Sequence, residues 1–569
     1  MRPKRKALTA AIATLLFGLG TGLPAGAQDT TGRVPAKLGK VHFKVECNAA
    51  AQKEFDVAMA YYHSFAWAQY KAPLERTLQA DASCGMAHWL RALGVLDNPF
   101  TWPVALSPKV MADGQASLES ARSAGLKTQR ERDYVDALAV FYKDHDKLNH
   151  RTRAKALEDA MAQVSSRYPD DMEAAILYGL ILSVNFDPAD RTYSSQLKAA
   201  KILEPIFVQQ PEHPGAAHYL IHSYDYPPIA QHGIEAAKRY SRIAPDAPHA
   251  QHMPSHIFTR VGAWRESVES NRASAKVDAD RTPNSPHAYD YMVYAHLQLG
   301  QDRAARAVID HALAVPKKVD HFVTAYAYAA MPARYALERG DWQTAAKLPL
   351  EPPADAISWK KYPQSEAMNA FGRGIGAAMS QNASAAQVEV KRLQALRDAA
   401  TAMKIGYWVE QIDIQAEVVR GAATCAAGQY AEGVEILRKA AAREDATQKH
   451  AVTPGLLLPA REVLAETILI WGRPADALRE FEVVLAKEPN RYRAFAGAAQ
   501  AAARAGDATK AAYYSARVVE LTDNADSPRP EVAQAKRVLV TRSQLLVTRT
   551  RGCVEGGHGF TPWRGRASS

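Results

Sequence analysis

The sequence predicts an all-α chain, a tetratricopeptide-like α-solenoid of stacked antiparallel helix pairs, on three observations. Alanine-rich amphipathic segments of about 12 to 17 residues recur from about Gln52 to Val519, separated by short turns of Gly, Pro, Asn or Asp. Almost nothing alternates with the period of two that a strand requires. In "PADALREFEVVLAKEPNRYRAFAGAAQAAARAGDATKAAYYSARVVEL", Gly472 and Gly506 stand at a separation of 34, each before an alanine-spaced helix, and Pro489 closes the first unit. A return in the thirties marks helix pairs that cannot bury their apolar faces alone and stack to do so.

Taken in order, residues 1–27 begin with Arg2, Lys4, Arg5 and Lys6, continue through an apolar run and end in Ala25-Gly26-Ala27. This is the pattern of a secretory signal cut after Ala27, and it predicts a periplasmic or secreted protein. Small residues at the end of the run disfavour an uncleaved anchor, and no later segment has the roughly 20 apolar residues that a stable membrane insertion needs. Residues 28–40 read as a linker. Residues 41–348 read as an N-terminal helical array, with a loop "DNPFTWPVALSP" at Asp97–Pro108 and weaker units opening at Gly262, Gly300 and Gly340, spaced by 38 and 40. Pro349, Pro352, Pro353 and Pro363 mark a proline-rich connection over 349–363. A C-terminal array follows over 364–525, then a tail over 526–569 whose glycine-rich end lacks a periodic apolar face and reads as disordered.

Of the formal net charge of +10, the signal carries four, leaving +6 without a basic block. Nucleic acid is therefore not an expected partner. Of the cysteines, Cys47, Cys84, Cys425 and Cys553, none forms a CxxC, and four allow three pairings.

The chemistry concentrates in "AAHYLIHSYDYP" and "HAQHMPSHIFTRVGAW". His218, His222, His249, His252 and His256 crowd into these two stretches of a chain with 18 histidines. His218 to His252 and His222 to His256 are each a step of 34, and in "SPHAYDYMVYAHLQLG" His287 and Tyr291 stand 35 beyond His252 and His256. Equivalent positions of neighbouring repeats lie side by side, so these residues form two rows on first helices, facing the concave interior. Neutral imidazole is the commonest metal ligand, and His218, His222, His252, His256 and His287 are the candidate ligands for zinc, copper, iron or nickel. His249, Asp225, Asp290 and Tyr291 are candidates to complete the set or to orient a ligand by hydrogen bond. The competing reading is packing, since a duplicated repeat copies its histidines in register. Arg334 and Arg461 are candidates to bring a guanidinium to an anionic ligand, against a salt-bridge role. Trp67, Trp89 and Trp408 read as core. The histidines are not in HExxH, and no Ser/His/Asp order, phosphate loop or dinucleotide fingerprint is present.

At "VECNAAAQKEFDVAMAYYHSFAW", "CGMAHW", "HYLIHSYD", "HAQHMPSHIFTRVGAW", "YMVYAHLQLGQ", "ARYALERGDW", "KHAVTPGLLLPARE" and "EPNRYRAFAGAA", the chain resembles a family of exported bacterial tetratricopeptide-repeat proteins, from about Val41 to Leu521. The resemblance implies an α-solenoid and a disulfide between Cys47 and Cys84, and no established activity. Tyr226 stands where it leads to a second acidic residue after Asp225, and His88 where it leads to tyrosine.

Two function classes follow. One is a scaffold that takes a protein, peptide or small-molecule ligand in its concave groove, with a histidine-lined metal site; the other is a metal-dependent enzyme or metal carrier. Either metal reading leads to affinity that weakens as pH falls through the ordinary histidine pKa of about 6.5.

Overall fold

A computed structural model of the chain describes residues 36–102, 106–187 and 190–541. The signal sequence expected over 1–27, the glycine-rich end of the tail and Cys553 lie outside the described residues. Within them the chain is a succession of α-helices with short 3-10 turns and no strand. Each helix packs on the next in sequence, and alternate helices also touch, as in Phe322–Glu338 on Pro363–Met379 and Pro363–Met379 on Gly406–Ala426. This is the stacking of antiparallel helix pairs in an α-solenoid. The proline-rich segment 349–363 turns the chain between helices without interrupting it, because Trp359 is buried and donates to the Pro352 carbonyl. No described helix is long and apolar enough to cross a membrane.

The glycines that set the sequence period also set the helix pairs. Gly262, Gly300, Gly340, Gly472 and Gly506 all adopt positive φ, between 64° and 87°, the left-handed conformation that a Cβ disfavours. Each stands between the first and second helix of a pair, as Gly472 does between Ala460–Ile470 and Pro474–Lys487. Side-chain caps start other helices. Asn48 accepts from Ala51 N at the helix Ala49–His63, and Thr128 forms a reciprocal capping box with Glu131 at Gln129–Tyr142. Cys47 and Cys84 are joined by a disulfide across a sequence separation of 37, and Cys425 is a buried free thiol.

The later repeats fold back on the middle ones. Trp264 donates its indole N–H to the Asn490 carbonyl, and the Gln298 side chain accepts from Tyr492 N. Fully buried Arg491 pairs with Glu338 and Glu462, at 2.8 and 2.7 Å. The start of the tail belongs to the same body. Asp526 accepts from the N–H groups of Arg303 and Ala304 at the start of the helix Asp302–Ala314, Arg529 pairs with Asp302, and residues 530–541 are helical. The expected tail therefore begins as part of the packed structure. The pairing of Asp302 with an arginine far along the chain anchors it, and local composition does not reveal such a contact.

Two glycines test this arrangement. A Cβ at Gly472 meets nothing within 4 Å, so Gly472→Ala should cost only the left-handed strain, about 1–2 kcal/mol. At Gly262 the same Cβ strikes the Pro489 carbonyl and Asn490, so Gly262→Ala should lose more and lower the urea midpoint further than Gly472→Ala. Equal midpoints would mean that the later repeats do not dock there.

Candidate metal centre and adjoining cavity

Six imidazoles converge where three first helices meet. His218 and His222 come from Pro214–Tyr224, His249 and His252 from the short helix Pro248–His252, His256 from Pro254–Val261 and His287 from Asn284–Gln298. Pro254 cannot supply the N–H that would continue the preceding helix, so the His249–His256 segment splits in two. The backbone stays helical through Met253, so His249, His252 and His256 keep one face, and His249 reaches His218 across the helices at 3.2 Å.

Two sets of three result, each with one ring nitrogen per residue within 4.8 Å of the others: His252, His256 and His287, and His218, His222 and His249. His249 therefore stands among the possible ligands and not outside them. Of the predicted rows, three links are ring contacts, with His252 and His287 4.3 Å apart, His222 and His256 5.9 Å, and His256 and Tyr291 5.2 Å, whereas His218 meets His249 in place of His252.

Hydrogen bonds fix which nitrogen is free on His252 and His256. His256 Nδ1 lies 2.9 Å from Asp225 Oδ2, and a carboxylate accepts, so this nitrogen carries the proton. His252 Nδ1 lies 2.6 Å from Asn271 Oδ1. Asn271 Nδ2 donates to the Ser267 carbonyl, which orients its oxygen towards His252. Both Nε2 atoms are then lone pairs, and they face each other at 3.0 Å. Such a pair repels unless a cation stands between. For a metal at about 2.0–2.1 Å from each nitrogen, this approach corresponds to a ligand angle of roughly 95°.

A shared proton is the other way to relieve the repulsion, and the surroundings oppose it. Burial holds His218, His222, His249, His252 and His287 well below the ordinary histidine range, reinforced by neighbouring imidazoles or by Lys449. Burial also lowers His256, although Asp225 pulls the other way. Burial alone would raise Asp225, but Lys449, Arg260 and His256 hold it well below the usual carboxylate range. Arg260 donates from Nε to Asp225 Oδ1 at 2.9 Å, and Lys449 lies 3.4 Å from Oδ2. Burial and Arg260 push Lys449 down to about 8.

A third group, His63, Glu173 and His213, shows what a satisfied cluster looks like. Glu173 accepts from His63 Nε2 at 3.0 Å and His213 Nε2 at 2.8 Å. The remaining nitrogens are also used, with His63 Nδ1 3.0 Å from the Tyr219 hydroxyl and His213 Nδ1 accepting from Ala216 N. Every nitrogen has a complementary hydrogen-bond partner here, and the group ties three helices together.

The six-histidine cluster opens on a cavity of about 410 Å³, lined by His222, His249, His256 and His287 and by Phe65, Trp67 and Phe100. Phe100 stacks on His222 at 3.8 Å and Phe65 on His249 at 5.3 Å. Trp67, read as core, is half-buried and borders this cavity, whereas Trp89 and Trp408 are buried. Phe100 also borders a second cavity of about 590 Å³, shared at His222 and His450 and walled by Tyr226 and Tyr407.

Of the other predicted residues, Tyr291 lies 3.5 Å from His256 Nε2 and donates to the Thr453 carbonyl at 3.2 Å. Asp290 faces Arg334 at 3.2 Å and not the histidines; burial raises its pKa despite that partner. Arg334 also donates to the Gly455 and Leu456 carbonyls, and Arg461 is engaged by Asp445 and Glu480. Both arginines thus have structural partners, with Arg461 bordering a separate cavity of about 320 Å³. Sequence reasoning missed Asn271, Lys449, Phe65 and Phe100. Phe65 in "YYHSFAW", Phe100 in "DNPFTWPVALSP" and Lys449 in "KHAVTPG" lie in stretches that stood out, but nothing local showed that they meet the histidines.

No protein-family model matches the chain, and no curated protein matches it. Among solved structures, it is similar to "Structure of Naa15/Naa10 bound to HypK-THB", at 12% identity and TM-score 0.23 over 88% of this chain and 74% of that one. It is also similar to "Crystal Structure of P58(IPK) TPR Domain", at 11% identity and TM-score 0.21 over 87% and 99%. The fold rests on the helix pairs themselves.

The lowered histidines set the pH response. Between their folded values and about 6.5 the unfolded chain binds protons that the interior refuses. Their contribution to stability is therefore full above about 6.5 and falls on acidification below it. The urea midpoint of metal-free protein should drop from pH 7.5 to pH 5.5, and a constant midpoint would show that the rings are solvated.

Proposed function

We propose that this chain binds a transition metal inside its solenoid and presents it to a small molecule in the adjoining cavity. The observation that carries the reading is the 3.0 Å approach of His252 Nε2 and His256 Nε2, with both Nδ1 atoms committed as donors to Asn271 and Asp225. Three histidines with further positions turned to a cavity match the ligand count of metal sites that take a substrate, as opposed to closed structural sites. Asp225 and Asn271 supply the outer hydrogen bonds that orient ligating imidazoles.

A solenoid scaffold that takes a protein or peptide along its concave face is the second reading. Against a peptide in this groove stands the segment 448–456, which runs across the first helices as a bound peptide would. Lys449 reaches Asp225, Tyr291 donates to Thr453 O, and Arg334 donates to Gly455 O and Leu456 O. With part of the groove occupied by its own chain, a peptide has less of the concave face to lie along. The proposal includes export, resting on the basic, apolar and Ala25-Gly26-Ala27 regions in order.

Elemental analysis of the purified chain should find metal that His252→Ala and His256→Ala lose. Glu173→Gln should keep its metal while losing about 3–5 kcal/mol of stability, because it breaks a buried carboxylate–histidine group that needs no metal. Metal-free wild type with melts indifferent to chelator would leave packing as the role of all three clusters. N-terminal sequencing of a periplasmic extract should begin at Gln28, and an intact Met1 would refute export.

A further inference from the structure

The geometry points to a paired copper centre, in which each set of three histidines holds one ion and both ions face the same cavity, so that one small anion bridges them. This rests on the metal reading above and deepens it, from one ion to two and from any transition metal to copper.

The second set carries its own unmet demand. His218 Nδ1 lies 2.7 Å from the His63 carbonyl, which only accepts, so His218 Nε2 is a lone pair. It lies 3.2 Å from His249 Nε2. His222 Nε2 is fully enclosed and has no hydrogen-bond partner. A buried ring nitrogen left without a partner costs the desolvation it is never repaid for, and an ion among the three nitrogens supplies that partner. The His63, Glu173 and His213 group, built from the same residue type at the same depth, has no such orphan.

The two sets are also one site. His222 and His256 rings lie 5.9 Å apart, His249 and His252 rings 6.0 Å, and members of both sets line the same wall of the 410 Å³ cavity. Ions held by facing sets act on one bound molecule. Phe100 on His222 and Phe65 on His249 keep that wall apolar and fix the two rings.

The donor chemistry selects the metal. Neither set contains a carboxylate or a thiolate. The nearest anion, Asp225, is already balanced by Arg260 and Lys449 at 2.9 and 3.4 Å. Two divalent ions among six neutral donors would bury four positive charges without compensation, which a low-dielectric interior opposes. Copper(I) halves that charge, suits imidazole, and copper stands at the top of the divalent affinity order. As copper(II), the pair needs an anion from solution between the ions, and the cavity admits one.

The test loads the metal-free full chain anaerobically with copper(I) as its acetonitrile complex, removes excess, and measures copper per chain. The expected result is two ions in the wild type and one in His222→Ala. One ion in both would overturn the pairing while leaving the single-site reading intact, and no ion in either would overturn the copper centre, with the elemental analysis above deciding the single-site reading. Copper(II)-loaded wild type with added azide gives an independent readout that needs no variant to fold. Coupled ions should give an electron paramagnetic resonance signal far below two spins per chain. Two full, independent signals would overturn the shared cavity.

Discussion

One buried carboxylate holds the interior of this solenoid in place. Asp225 ends the helix Pro214–Tyr224 and accepts from His256 and Arg260 on Pro254–Val261 and from Lys449 on the loop before Ala460–Ile470. It therefore joins neighbouring repeats to a loop that belongs to the C-terminal half of the chain. A single acid between two buried bases leaves a local positive excess, and that excess helps keep the surrounding imidazoles neutral. The electrostatics that close the fold thus also keep these imidazoles neutral, the form in which imidazole ligates a metal.

Closure distinguishes this chain from an open array of helix pairs. In an ordinary solenoid each repeat touches only its neighbours. Here Arg491 bridges Glu338 and Glu462, Arg334 holds the 455–456 backbone, and Trp264 holds Asn490. These polar contacts join repeats far apart in sequence, and they wall the concave face into partly open cavities. Partial enclosure is what gives the histidine wall its low dielectric and its apolar neighbours Phe65 and Phe100.

The chain offers its own control for what buried histidines do. In the Glu173 group the carboxylate accepts from two rings, a phenol and a backbone amide complete the remaining nitrogens, and the result is a structural tie. In the six-histidine cluster the carboxylate and amide oxygens sit behind the rings, so that lone pairs converge in front. The difference lies in which side of the ring the acceptor occupies, and residue type and depth do not reveal it.

The sequence by itself determined the helices, their pairing and the location of the chemistry, because these follow from local periodicity. Alanine spacing specifies amphipathic faces, glycines after first helices specify the left-handed turns at Gly262 through Gly506, and the recurrence of histidines one repeat apart places His222 beside His256 and His252 beside His287. The tertiary structure alone decided that His249 joins His218 and that Asp290 faces Arg334. It alone brought Asn271 behind His252, Phe100 onto His222 and Lys449 onto Asp225. Loops carry no repeat signal, and where they land depends on how the whole superhelix closes, which no local pattern encodes.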